Sequence, residues 1–362
     1  MKKITSMILA LVFAVSIIGS VSAKTLKIQL TFPKTSYDGQ IVKMWTDRVT
    51  KLTRGELEFE LLSKGEVVGM KETLEAVDKG LVDGGAAWTH YWSNYHPAAM
   101  LFGSPVAGGG IGLSTKSWLA WYFDNGGKEL YDQLWSEMGM NVKGFVMASS
   151  GPEALGWFKE PIKNMDDFRK YRFRTPPGIP GQTYKDIGIA SVSLSGGDIL
   201  PALEKGTIDA AEWCCPKPDS VFGFQKVLKN YYLQGLHQNV VNGDIYINGD
   251  VYNSLTDHQK YAMEVASEAM ITRNITNRAV ENGKALIDLT ENHGVKLWDT
   301  PADYFTEYMN AAQATLKKNA DSNAFFKEVY EHMTAHAKIV VPFIAQMETS
   351  DASIGTAFAS QQ

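Results

Sequence analysis

The feature that most limits what this chain can fold into is a phrase that it states twice. "LEAVDKGLVDGGAAW", Leu74 to Trp88, and "LPALEKGTIDAAEWCC", Leu200 to Cys215, carry Leu, Ala, an aliphatic residue, an acid, Lys-Gly, a β-branched residue and Asp in register, with Asp209 following Asp83 at an interval of 126 residues (209 − 83). Each copy reads as a helix stopped by glycine, Gly80 or Gly206, that runs into a strand ending on residues without bulk, Gly84-Gly85 or Ala210-Ala211. Two copies of one helix-strand unit predict two related halves. In open α/β sheets ligands sit at the carboxyl ends of strands, so two such ends facing one cleft would bring Trp88 to one wall and Glu212 with Trp213 to the other.

The rest of the chain keeps the alternation that builds an α/β sheet. "KTLKIQLTF", "LEFELLS", "MNVKGFVMAS", "YRFRT" and "ASVSL" read as strands. "DGQIVKMWTDRVTKLT", "MDDFRK", "IPGQTYKDIG" and "GGDILPALEKG" read as helices, the last expected to be capped by Asp198. Past residue 255 the pattern turns helical. Thr256 and Gln259 form a capping box, and no full stop comes before Gly294, so this helix would exceed about 50 Å and span both halves as a spine. Thr300-Pro301 is expected to open another helix, and "FFKEVYEHMTAHAKIVVPFIAQM" a last one with a kink at Pro342, before a tail that frays after Ser350. The expected division is a leader, 1–23; a first lobe, 24–146 with 241–275; a second, 147–240 with 276–330; and a C-terminal helix and tail, 331–362, that offers apolar surface for a homodimer.

Two lysines, an apolar run and the small residues Val21-Ser22-Ala23 predict an export signal cleaved after Ala23, hence a periplasmic product without stable membrane insertion. The formal net charge is −5 and no basic cluster interleaves with aromatics, which excludes nucleic acid as a partner. Cys214 and Cys215 are the only cysteines, so no disulfide framework supports the fold; whether these neighbours pair stays open.

Chemistry-bearing residues gather around the second copy of the repeat. Arg174 ends a strand just before a helix N-terminus, a favourable receptor for a carboxylate, whereas Arg172 reads as a surface ion pair. "SSGPEALGWF" puts Ser149 and Glu153 in a loop, Tyr91 follows Trp88 as an aromatic wall, and His237 with Gln238 follows the second-lobe motif. No nucleophile triad, phosphate loop or dinucleotide fingerprint is present, and His332 with His336 lacks a third metal ligand.

Over "YRFRTPPGIPGQ", "SLSGGDILPALEKGTIDAAEW" and "GFQKVLKNYYLQGLHQ" the sequence resembles the extracytoplasmic solute receptors of tripartite ATP-independent periplasmic (TRAP) transporters, in the DctP-family branch that binds 2-oxo and 2-hydroxy acids. The resemblance implies a two-lobed α/β periplasmic binding protein fold with an interlobe cleft, and no enzymatic activity. It further implies that Arg174 binds the substrate carboxylate and that Glu212, with the Trp213 carbonyl, binds a metal ion. Glu153 stands where relatives commonly have Gln, and Ser149 where they often have Asn. Glu153, Glu212, a substrate carboxylate and Arg174 leave two negative charges, which favours calcium over sodium. The expected partners are a small organic monocarboxylate, the TRAP membrane permease subunits and a second copy of the chain. A secreted hydrolase using Glu153 and Glu212 as a carboxylate pair, and a ligand-presenting sensor on the same fold, are the alternatives.

Overall fold

The protein is described by a computed structural model covering residues 23–360. Apart from Ala23, the expected leader lies outside the described residues. In chain order the strands are β1 (Lys24–Leu30), β2 (Leu57–Leu62), β3 (Gly84–Trp88), β4 (Val142–Ser150), β5 (Gly156–Phe158) and β6 (Arg172–Arg174). They continue with β7 (Ala190–Val192), β8 (Ala210–Ala211), β9 (Asn230–Tyr232), β10 (Val241–Asn248) and β11 (Lys296–Trp298). Two mixed sheets result, ordered β2-β1-β3-β10-β4 and β11-β9-β5-β8-β6-β7, one for each lobe of the expected α/β architecture. The chain crosses between them where β4 leads to β5 and where β9 leads to β10.

Helix α1 (Tyr37–Leu52) covers the first sheet because Ile41, Val42, Trp45 and Val49 share one face and bury against Leu26, Ile28 and Leu30 of β1. Each such side chain contributes roughly 1.5–3 kcal/mol of burial. Helices α2 (Thr73–Asp78) and α3 (Thr115–Asp124) belong to the same lobe. In the second lobe α4 (Gly196–Glu204) and α5 (Pro216–Phe222) enclose a core of Trp157, Ile199, Leu203, Phe224 and Tyr231.

The repeat is a repeat of structure. After α2 the Leu81 N–H donates to the Ala76 carbonyl at 2.8 Å, and after α4 the Thr207 N–H donates to the Ala202 carbonyl at 2.9 Å. Gly80 and Gly206 make both turns at positive φ, where a side chain would be strained. The recurring aspartate then fixes register: Asp83 accepts from the Lys27 N–H, Asp209 from the Arg172 N–H. Strand β3 therefore lies parallel to β1, and β8 parallel to β6.

The spine, α6 (Asp257–Asn292), is capped as expected by Thr256 and Gln259, and its 36 residues extend about 54 Å. Ser267 on it accepts from the Trp45 indole in the first lobe, and Asn282 accepts from the Lys217 N–H in the second. Two further helices follow, α7 (Ala302–Ser322) and α8 (Ala324–Ala359). No helix among the described residues is long and apolar enough to cross a membrane.

Several local expectations are corrected. Asp198 does not cap α4; Ser195 holds the cap position, and the Asp198 amide donates to its carbonyl. Pro301 rather than Thr300 caps α7, since Thr300 is tied through its hydroxyl and amide to Gln234. The chain after Ser350 stays helical to Ala359, having neither Pro nor adjacent breakers to stop it. Strand β4 remains in the first sheet to Ser150, past the expected edge at 146, because β10 pairs along its whole length. Within residues 324–330, expected in the second lobe, Phe325 meets His96 of the first edge-on. Farther along α8, His332 accepts from the Trp121 indole and His336 meets the Ser117 carbonyl, both on α3.

Candidate functional site

An interlobe cavity of about 60 Å³ opens beyond the ends of β3, β6 and β8, where Trp88, Arg174 and Trp213 line it. Gly84 and Gly85 open β3 rather than end it, and their lack of bulk serves packing instead of the cavity: a Cβ on Gly85 would lie 2.7 Å from the Tyr246 ring of β10. Of the sequence-predicted residues, Trp88, Tyr91, Glu153, Arg174, Trp213 and Gln238 line the cavity. Asp38, His90, Cys214 and Arg278 line it too, and sequence reasoning did not select them for this role. Ser149, Glu212 and His237 are not among the lining residues, Glu212 being buried and paired with Arg174. Ser149 is a buried β4 residue rather than a loop residue, its hydroxyl donating to Asn242 at 2.6 Å.

Arg174 arrives from the end of β6 beside β8 and is almost wholly buried, with its guanidinium 5.0 Å from the Trp213 ring centroid. One arm donates to the Glu212 carbonyl at 2.8 Å and to Glu212 Oε1 at 2.5 Å; Nε and Nη2 both donate to the Leu194 carbonyl. Of five N–H groups, a single one on Nη2 is left for a ligand. A bidentate grip on a carboxylate therefore requires either Glu212 or the Leu194 carbonyl to give up its bonds to Arg174. Arg172, by contrast, is the expected surface ion pair, with Asp209.

Glu212 and Glu153 approach each other from two segments. The turn carrying Glu212 is clamped by Asp219, whose Oδ1 accepts from the Cys214 and Cys215 amides and whose Oδ2 accepts from Trp157 and Tyr231. The loop carrying Glu153 is stapled by its own N–H to the Gln238 carbonyl and by the Ala154 N–H to the Cys214 carbonyl. Burial, and then the nearby Glu212 charge, push the Glu153 carboxyl well above the usual carboxylate range. His90, on the opposite wall, is depressed to about 4 by burial and so stays neutral.

Three buried atoms, Glu153 Oε2, Glu212 Oε2 and His237 Nε2, have no hydrogen-bond partner among the described residues. Their groups offer ligand atoms within 4.8 Å of one another. Orphaned buried acceptors are costly, so this cluster fits a cation. Its two carboxylates are hard oxygen donors of the kind calcium or sodium takes. The imidazole plays another part. Tyr304 accepts from the Leu236 N–H, and the Tyr184 hydroxyl lies 3.1 Å from both Tyr304 OH and His237 Nδ1. Every hydroxyl finds an acceptor if Tyr304 donates to Tyr184 and Tyr184 to Nδ1. The imidazole proton is then on Nε2, 3.5 Å from Glu212 Oε2, and His237 supports that carboxylate from behind.

Cys214 and Cys215 are free thiols. Arg278 of α6 lies against both sulfurs, at 3.4 and 3.7 Å, and pairs with Asp38 at 2.9 Å. His332 and His336 hold α8 to α3 and belong to no metal cluster among the described residues. A carboxylate pair working as acid and base would need both groups free to meet a substrate, whereas Glu212 is engaged by Arg174.

Known proteins share this fold. The profile of the bacterial extracellular solute-binding proteins, family 7 (DctP), matches residues 30–323. The chain is 32% identical over 298 residues, 80% of its own length and 78% of the relative's, to a monocarboxylate 2-oxoacid-binding periplasmic protein of Nostoc sp.. A TRAP transporter solute-binding protein from Bordetella bronchiseptica superposes with a TM-score of 0.86 at 25% identity, covering 94% of this chain and 99% of that one. That protein is a mixed-occupancy dimer with copurified calcium and picolinate in one active site and an apo site in the other. A TRAP periplasmic solute-binding protein from Pseudoalteromonas atlantica with bound sodium and pyruvate gives a TM-score of 0.83 at 20% identity, with 92% and 99% coverage. With the two-lobed fold, the interlobe cavity and a profile that spans most of its length, the chain belongs to the DctP family of TRAP solute receptors, binding proteins rather than enzymes.

Proposed function

We propose that this protein is the periplasmic receptor that captures a small 2-oxo or 2-hydroxy monocarboxylate together with a metal ion and delivers it to the membrane subunits of a TRAP permease. The observation that carries the reading is the buried Arg174–Glu212 pair beside an interlobe cavity whose wall carries Arg174 and a second carboxylate, Glu153. In the empty site Arg174 and Glu212 neutralise each other and Glu153 holds a proton. On loading, Glu212 is relieved of Arg174 and Arg174 turns its fork to the acid. Glu153, Glu212 and the Trp213 carbonyl would hold the ion, which supplies the positive charge that keeps the acid and the carboxylates together. Trp88, Tyr91 and Gln238 complete the walls, and Ser149 and His237 act as supports behind them.

Calcium fits better than sodium, because ionised Glu153 and Glu212, Arg174, the acid and a divalent ion sum to zero; sodium reaches the same balance only with Glu153 protonated. Calcium in the Bordetella protein, sodium in the Pseudoalteromonas protein and the 2-oxoacid named for the Nostoc relative support capture of a small acid with a metal ion, without choosing between the two ions. Lobe closure excludes water from the cavity and strengthens each charge interaction. Cleavage after Ala23 would release the lobes, residues 24–150 with 241–275 and 151–240 with 276–323. A homodimer would cover the α8 residues Ile339, Phe343 and Met347, each more than half exposed. Calorimetry with pyruvate tests the reading: tight binding with calcium and none after chelation is expected, and binding indifferent to chelator contradicts it.

A further inference from the structure

The cavity contains a second buried guanidinium that carboxylate capture does not use. Arg174 lies over Trp213, whereas Arg278, on the spine, lies 5.8 Å from the Trp88 ring centroid and pairs with Asp38, so it meets the cavity at the first-lobe residues Trp88 and Asp38. Arg278 donates through Nε to Asn274 at 3.2 Å and through Nη2 to Asp38 Oδ1 at 2.9 Å. Its Nη1 faces only Cys214 and Cys215 sulfurs, which are weak acceptors. Asp38 Oδ2 receives no side-chain or backbone donor among the described residues. The pair thus holds out an underused N–H and a free carboxylate oxygen on one wall.

Resting on the reading that Arg174 takes the acid's carboxylate, we infer that Asp38 and Arg278 recognise a hydroxyl at the far end of the ligand. The receptor then selects three- or four-carbon 2-oxo or 2-hydroxy acids with a terminal hydroxyl over their alkyl-ended counterparts. A hydroxyl needs one acceptor and offers one, which is what this pair complements. A distal carboxylate would be drawn to Arg278 but would meet the Asp38 charge beside it, and a methyl group would leave both polar arms without water once the lobes close. The size limit comes from the cavity. Its volume of about 60 Å³ is small for a ligand site, which favours a short acid over a long or aromatic tail.

A site built to bond a hydroxyl discriminates strongly against an analogue that lacks it. With calcium present, calorimetry should give hydroxypyruvate an affinity at least about tenfold tighter than pyruvate, and oxaloacetate should bind more weakly than hydroxypyruvate. In D38A, whose fold is checked by thermal unfolding, the hydroxypyruvate-to-pyruvate ratio should fall towards one. Equal affinities in the wild-type protein, tighter oxaloacetate binding, or a ratio that survives D38A would overturn the inference while leaving acid capture intact. Failure of all three acids to bind would overturn acid capture itself.

Discussion

Replacing Glu153 by Gln isolates the charge on which ion choice depends. The Glu153 and Glu212 ligand atoms lie within 4.8 Å of each other. Two full charges at that distance repel by about 3.5 kcal/mol at an effective dielectric of about 20, equivalent to about 2.5 decades of binding constant. Burial adds to this, so in the empty site Glu153 keeps its proton, in line with its raised titration range. Calcium must expel that proton to gain the second charge, whereas sodium need not. Calorimetry of pyruvate binding near neutral pH, run in two buffers of different ionisation enthalpy, should therefore show release of about one proton with calcium and almost none with sodium. In E153Q the proton release should vanish and calcium affinity should drop by about two decades, with sodium affinity changing far less. Unchanged calcium affinity in E153Q, or identical proton release from both proteins, would refute the reasoning.

Three further outcomes are expected. R174K, which keeps the charge but loses the planar fork, should weaken pyruvate binding by about 2 kcal/mol or more, read by quenching of tryptophan fluorescence; an affinity within threefold of wild type would contradict the role given to Arg174. Asp219 and Asp244 are both raised to about 7 by burial. Since the folded state holds their protons more tightly than the unfolded chain, the resulting stability is complete below about pH 4 and is lost as pH rises through about 7. Urea midpoints should accordingly fall between pH 5 and pH 8, and fall less in D244N. Charges placed on the exposed face of α8, as in I339E with F343E, should shift a dimer to monomer in sedimentation velocity while leaving the thermal transition within a few degrees; an unchanged sedimentation coefficient would remove α8 as the contact.

The sequence made the second-lobe side of the site readable because Arg174, Glu212 and Trp213 fall at strand ends whose small residues and repeated aspartate mark them. What it concealed arrives from helices. Asp38 sits in the first turn of α1, where an acid is ordinary. Arg278 looks like any solvated residue of a long helix, yet a signal was present. Ala266, Met270, Asn274, Arg278 and Asn282 form one row at intervals of four, and the change from apolar to polar along that row marks where the spine leaves the first lobe's core and passes the cavity. Ser149 was misplaced because the pairing of β4 with β10 outlasts the alternating pattern, a tertiary effect that local sequence does not carry. The start of α7 moved by one residue for the same kind of reason: Thr300 is held by Gln234, a residue far away in sequence.

Whether the acid and the ion share one site between Arg174 and the two glutamates is tested most directly by a crystal structure of the protein grown with calcium and hydroxypyruvate. The account predicts an ion ligated by Glu153, Glu212 and the bound acid, with the acid's carboxylate on Arg174 and Glu212 no longer paired to that guanidinium. An acid seated with no ion beside it and the Arg174–Glu212 pair intact, or one whose carboxylate rests on Arg278, would contradict it.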